Sequence, residues 1–183
     1  MRGIPFDDNT FDVVYHSHFL EHLDREAAAS FLLECHRVLK PGGTLRVVVP
    51  DLELLVKWYW ESLDELDRGN TDAESRHERV IYDLFDQMVR RSSSGTAGQK
   101  PWVRRIERVI RGNAAATGEN HRWMYDRYSL GRMLTRLGFT AIRVHSASTS
   151  SIAGWERCFL DYDPDGKIYK PESLYVEGMK GVR

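Results

Sequence analysis

Cysteine is scarce in this chain: Cys35 and Cys158 are too few and too far apart for a disulfide framework or a Cys-x-x-Cys metal site. That usage suits a reducing, cytoplasmic setting. No apolar run approaches the roughly 20 residues that a membrane helix needs, and Met1–Asp8 lacks the apolar core of a secretory leader. Neither sign of charge dominates, since 26 Lys and Arg stand against 27 Asp and Glu. The net charge therefore gives no global bias toward nucleic acid or a membrane surface. Internal repeats are absent, and so is any G-x-G-x-x-G phosphate-binding turn.

What the chain does have is a pair of apolar strands with a helix between them. Phe11–Tyr15 is β-branched and aromatic and runs straight into a polar cluster, His16, Ser17, His18, Glu21 and His22. Asp24 is a good N-cap for a helix reaching about Leu39, with Ala28, Phe31, Leu32, Cys35 and Val38 on one stripe. Pro41-Gly42-Gly43 reads as the helix stop, and Thr44–Val49 as the second buried strand. Strand, helix and strand in that order make a βαβ unit, whose ligands bind at the carboxyl ends of the strands. The candidate site therefore begins at His16–His22.

Beyond Asp51 the period changes. Leu52–Asp67 and Arg76–Arg91 carry apolar residues at helical spacing, Ser92–Lys100 has linker composition, and Pro101–Ile110 opens like a short helix. The span of about 52–120 reads as a helical insertion within a single domain of residues 1–183. Within it, Arg90–Arg111 concentrates positive charge with little aromatic interleaving, which suits a solvated helix face better than a nucleic-acid surface. The α/β pattern resumes with Ser129 as N-cap for a helix over Leu130–Leu137, stopped by Gly138. Phe139–His145 is the next strand, Trp155–Tyr162 a further one, Asp163-Pro164-Asp165-Gly166 a tight turn, and Ser173–Lys180 the last strand.

GIPFDDNTFDVVYHSHFLEHL (Gly3–Leu23), HRVLKPGGTLRVVVPD (His36–Asp51) and YDRYSLGRMLTRLGF (Tyr125–Phe139) together resemble a class I S-adenosylmethionine-dependent methyltransferase of the small-molecule type, over its C-terminal half. The resemblance implies an α/β fold, a truncated Rossmann-like sheet that is mostly parallel with its last strand antiparallel. It implies S-adenosylmethionine as cofactor and a small molecule as methyl acceptor. Residues just after the first strand, His16, Ser17 and His18, would line the methionine end of the cofactor, and Ile4, Pro5 and Phe6 its adenine side. His18 or His22 would serve as base, with Glu21 as a further candidate. His121, Arg122, Trp123 and Tyr125 would contact the acceptor. The glycine-rich turn that holds the cofactor elsewhere in that family has no counterpart in this sequence.

Each of these has a structural alternative. Glu21 and His22 also suit capping the following helix, and Trp123 and Tyr125 also suit packing the insertion onto the sheet. The run His16-x-His18 with Glu21-His22 resembles the HxHxDH pattern of metallo-hydrolases, but its spacing is one residue too long, and His77, His121 and His145 stand alone in the sequence. No metal site is expected on that ground, and metal-dependent hydrolysis is a distant third reading. The missing glycine turn favours a second one, a non-catalytic methyltransferase-like module that binds a partner. The apolar first strand, with nothing before it to pair, predicts a homo-oligomer through the open sheet edge.

Overall fold

The computed structural model describes residues 3–88 and 121–182. The Ser92–Lys100 linker, the Pro101–Ile110 helix and the whole of the basic Arg90–Arg111 stretch lie outside the described residues. The elements run β1 (Phe11–Ser17), α1 (Arg25–Val38), β2 (Leu39–Pro50), α2 (Leu52–Asp67), α3 (Glu74–Met88), α4 (Arg127–Arg136), β3 (Phe139–His145) and β4 (Ser173–Lys180). The four-stranded sheet has the order β1-β2-β4-β3. β1 and β2 pair in parallel, and β4 runs antiparallel to both β2 and β3. Three strands thus share one direction and the last runs against them, so the expected α/β sheet with an antiparallel closing strand is the one found. Among the described residues no helix is long and apolar enough to cross a membrane.

Helix α1 forms where the apolar stripe and its cap agree. The Asp24 carboxylate accepts from the Ala27 N–H at 2.8 Å, and Ala28, Leu32, Cys35 and Val38 are buried. Burial pushes the Cys35 thiol up to about 12, with Glu34 adding to the rise, so it packs as an inert apolar group. No glycine stops α1. Leu39 is already extended, and β2 pairs Phe11 with Leu39 before slipping to Val13 with Thr44. Pro41-Gly42-Gly43 occupies that bulge: Gly42 has φ +79°, and a Cβ on Gly43 would meet the Lys40 and Asp12 carbonyl oxygens at 2.9 and 3.0 Å. The glycines serve the strand and not the helix end.

Two further expectations are corrected. α4 is capped by Asp126 and begins earlier, because the Asp126 carboxylate accepts from the Tyr128 and Ser129 N–H groups. The Ser129 hydroxyl oxygen instead accepts from the Asp126 N–H, three residues on, and completes a capping box. Trp155–Tyr162 is not a strand. Trp155–Arg157 is a short 3-10 turn entered through Gly154 at φ +76°, and Tyr162 makes an isolated bridge to Ile168. The described part of the expected insertion is the α2–α3 hairpin, in which Ser62 and His77 hydrogen-bond at 2.9 Å and the Tyr59 ring lies on His77.

β2 is buried on both faces. Leu45, Val47 and Val49 face α1 and α4, joined by Leu174, Val176 and Phe139. The opposite face carries Val48 and Tyr175, with Arg46 wholly buried among them. The Arg46 guanidinium donates to Asp161 at 2.9 Å, to Glu177 at 2.7 Å and to the carbonyls of Ser146 and Thr149. Its cation lies 4.2 Å from the centroid of the Trp155 ring. Burial alone would raise the Glu177 pKa. Hydrogen bonds from the Ser150 hydroxyl, the Ser151 N–H and Arg46, with the charge of His145, outweigh burial and hold the carboxyl below the usual range. His16 belongs to the first face. It is 9 % exposed, its ring stands edge-on to Phe31 at 5.1 Å, and neither ring nitrogen has a hydrogen-bond partner among the described residues. Burial holds its pKa down to about 4.

Two outcomes follow for stability. Arg46→Ala strands two buried carboxylates and is expected to cost about 3–5 kcal/mol in urea unfolding at pH 7; a loss under about 1 kcal/mol would show that the network contributes nothing. For His16, the unfolded chain takes up a proton near pH 6.5 that the native imidazole refuses until about pH 4. Stability therefore falls as pH drops through that window, by roughly 3 kcal/mol in total from this residue. His16→Phe should lose less stability between pH 7 and pH 4.5 than the parent chain, and equal losses would refute the assignment.

Candidate functional site

The polar cluster forms where β1 ends. The last pair of β1 with β2 is Ser17 opposite Val48, and the His18 N–H then donates to the Val48 carbonyl at 2.9 Å. His18 itself has φ +48°, a left-handed conformation that a non-glycine residue adopts at a cost. The chain turns there into a short 3-10 segment, Leu20–His22, with Leu20 and Glu21 fully buried. A distant stretch is pinned against this turn by its backbone. The N–H groups of Arg122 and Trp123 both donate to the Glu21 carbonyl, at 2.7 and 3.2 Å. Tyr125 bridges Asp51, and its carbonyl accepts from the Leu52 N–H at 3.0 Å. Residues 121–125 are thereby laid across the carboxyl ends of β1 and β2.

The result is a carboxylate ringed by imidazoles. Oε1 of Glu21 lies 3.4 Å from Nδ1 of His18, 3.8 Å from Nε2 of His22 and 4.0 Å from Nε2 of His121. Glu21 and His121 are buried, while His18 and His22 keep about a quarter of their side chains exposed. The far nitrogen of His18, Nε2, is 2.9 Å from Oγ of Ser173 at the start of β4. His18, His121 and Ser173 open on a cleft of about 260 Å³ whose other wall is Tyr169, Lys170 and Glu172. Behind it the Tyr125 phenol is pushed up to about 12 by burial, Arg25 pulling it back and Glu21 adding to the rise. It stays a neutral hydroxyl at physiological pH.

Most of the residues singled out in the sequence meet here. His18, Glu21, His22 and His121 form the cluster itself, and Tyr125 lies beneath it. Arg122 and Trp123 flank it, Arg122 reaching Asp24 at 3.7 Å and Trp123 carrying the Arg25 cation 4.7 Å above its ring. His16 and Ser17 precede it on β1 and fall on opposite faces of the sheet, Ser17 toward Tyr15. Ile4, Pro5 and Phe6 sit elsewhere, on the loop that Glu34 and Arg37 clamp to the C-terminal end of α1. The solitary histidines of the sequence are not solitary in the fold: His121 joins Glu21 and His22, and His145 lies 3.0 Å from Glu177. Ser173, Lys170 and Glu172 were not anticipated, because their stretch reads only as a turn leading into the last strand. Chemically, the cluster can accept a proton at His18, orient an acceptor through Ser173, and offer two imidazoles and a carboxylate to a cation.

Residues 1–47 match the family model described as a methyltransferase domain. No curated protein matches the chain. Among solved structures it is similar to an S-adenosylmethionine-dependent methyltransferase of Methanosarcina mazei, at 15% identity and a TM-score of 0.49, over 99% of this chain and 64% of that one. It is similar to a Thermotoga maritima S-adenosylmethionine-dependent methyltransferase, described as a possible histamine N-methyltransferase, at 15% identity and 0.44, over 97% and 60%. A third is the 1,6-didemethyltoxoflavin-N1-methyltransferase of Burkholderia thailandensis, which holds its substrate and S-adenosylhomocysteine, at 13% and 0.44, over 96% and 46%. The chain thus spans less than two thirds of the length of each, and its match to the methyltransferase-domain family lies in β1, α1 and the first part of β2.

Proposed function

We propose that this chain forms the acceptor side of an S-adenosylmethionine-dependent methyltransferase for a small molecule. The observation that carries the reading is the cluster at the end of β1, inside the stretch with the methyltransferase-domain pattern, where His18 is braced between Ser173 and Glu21. The cofactor supplies an electrophilic methyl group on a sulfonium. The residues present fit its methionine end, since the buried His16 offers two ring nitrogens with no hydrogen-bond partner among the described residues. The assignment of Ser17 to the same end rests on the resemblance, because its side chain lies on the opposite face of the sheet from His16. The assignment of Ile4, Pro5 and Phe6 to the adenine side rests on the resemblance alone.

Methyl transfer is an in-line displacement that depends mainly on positioning and on exclusion of water. His18 is the base of this scheme. Glu21 beside Nδ1 favours the tautomer with its proton on that nitrogen, which leaves Nε2 basic and turned to the cleft. An acceptor hydroxyl or amine that takes the place of the Ser173 hydroxyl gives up its proton there. His121 and Lys170 line the acceptor cleft, while the assignment of Arg122 and Trp123 to the acceptor rests on the resemblance alone. His22, with its ring against His121 at 4.8 Å, is the alternative base. A second reading, a partner-binding module without catalysis, is favoured by the lack of a G-x-G-x-x-G turn in the chain. The open edge of β1 suits pairing with a second copy, because Val13 is exposed there and no strand in the described sheet lies beyond β1.

Calorimetric titration with S-adenosylhomocysteine separates the two readings. The enzyme reading expects micromolar affinity, about −8 kcal/mol, weakened by His16→Ala; absence of binding up to millimolar leaves only the module. With an acceptor in hand, His18→Ala should lower the rate of transfer by roughly 10²–10⁴-fold. Light scattering should report a dimer, and a monomer at working concentration would remove the edge-pairing proposal.

A further inference from the structure

Glu21, His22 and His121 each present one ligand atom, and these atoms all lie within 4.8 Å of one another. We infer that they form a binding site for one zinc ion at the foot of the acceptor cleft. The donor set is two imidazole nitrogens and one carboxylate oxygen, the combination that suits a borderline divalent cation and that catalytic zinc sites use. Tetrahedral coordination at about 2.0 Å sets neighbouring ligand atoms about 3.3 Å apart. Oε1 of Glu21 already stands 3.8 Å from Nε2 of His22 and 4.0 Å from Nε2 of His121, so small side-chain rotations close the site.

The environment argues in the same direction. Glu21 is fully buried beside both imidazoles, where the local dielectric is low and the attraction of a carboxylate for a divalent cation is strong. Two of the ligands are held by backbone and not by chance contact. Glu21 and His22 sit on one short turn, and the Glu21 carbonyl binds the N–H groups that immediately follow His121. The site keeps an open coordination position. His121 lines the cleft together with His18 and Ser173, so the fourth ligand comes from that side, as water or as an oxygen or nitrogen of the acceptor. His18 is not a ligand in this arrangement, and with His22 committed to the ion it is left as the group beside the bound water or acceptor. The inference stands on the cluster and does not need methyl transfer to be correct.

The test uses the full chain, stripped with a chelator and titrated with Co²⁺ and then Zn²⁺. The expected result is one equivalent of Co²⁺ with the intense visible bands of a tetrahedral site, bleached by Zn²⁺. His121→Gln and Glu21→Gln should each weaken binding by at least roughly 100-fold, more than the loss of an outer-shell partner, while His77→Gln, distant in the α2–α3 hairpin, should leave it unchanged. Because a change at buried Glu21 can unfold the protein, circular dichroism accompanies each variant and His121→Gln is the deciding one. X-ray absorption of the zinc-loaded parent should show nitrogen and oxygen neighbours only. No cobalt bands, bands unchanged in folded His121→Gln, or sulfur in the zinc shell from Cys35 or Cys158 would each overturn the site. Titration with S-adenosylhomocysteine on the same sample keeps the questions apart. Cofactor binding without metal removes only this inference, and metal without cofactor removes only methyl transfer.

Discussion

Strand β2 has no side to spare for water: from Gly43 to Pro50 every residue is buried. A strand covered on both faces must find two covers, and this chain finds two of different kinds. Helices α1 and α4 supply apolar area for the first face, in the ordinary manner of an α/β layer. The second face is covered by the 146–162 segment, of which only Ala147, Trp155 and Asp161 are buried. Its folding is directed by a charge. Arg46 projects from the centre of β2 and collects Asp161, Glu177 and the Ser146 and Thr149 carbonyls, with Trp155 closing over the guanidinium. The segment is thereby given partners for its backbone polar groups, which no apolar residue at position 46 would provide.

The same central strand places the site. β1 and β2 point the same way, so both end on one edge, and α1 crosses back between them. That edge has backbone groups to satisfy beyond the last sheet pair, and the chain satisfies them with its own distant residues: Val48 takes the His18 N–H, and Tyr125 pairs with Asp51 and Leu52. Side chains carried by those connections are brought together as a consequence. The ring of His121 is near Glu21 because the neighbouring peptide groups bind the Glu21 carbonyl, so the cluster is held by main-chain bonds on either side of it.

How much of this the sequence showed depends on the range of the interaction that decides each feature. β1, α1, α2 and β4 follow from local period and were legible almost to their ends. The misreadings arise where a local signal serves a partner elsewhere. Pro41-Gly42-Gly43 looks like a helix stop because glycine is common there, yet the close approach of the Asp12 and Lys40 carbonyls to Gly43 belongs to a strand bulge. Ser129 has the chemistry of an N-cap, but Asp126, three residues earlier, holds the position and Ser129 completes the box. Trp155–Tyr162 reads as a further strand, though its leading aromatic is spent on Arg46 from the middle of β2. In the candidate site, His16–His22 was visible because strand and polar cluster adjoin. His121 was visible only as an acceptor contact, its place beside Glu21 being set by the backbone bonds of its neighbours, and Ser173 was not visible, since only a tertiary hydrogen bond brings it to His18.

His16 and His18 show how a single backbone dihedral divides labour between like residues. On a regular strand, residues two apart share a face, and His18 would follow His16 into the apolar layer against α1. His16 does enter it, and there an imidazole is kept neutral by burial against Phe31. At His18 the chain instead takes a left-handed turn, φ +48°, at a cost of about 1–2 kcal/mol for a residue with a Cβ. That turn swings the second imidazole off the strand face and out to the cleft, between Glu21 and Ser173. The hydrogen bond from the His18 N–H to Val48 fixes the backbone on which the turn is made, and the 3-10 segment after it buries Glu21. The strain is local and what it secures is local too: a solvated, doubly braced histidine next to a buried carboxylate, which an unbroken strand would not present.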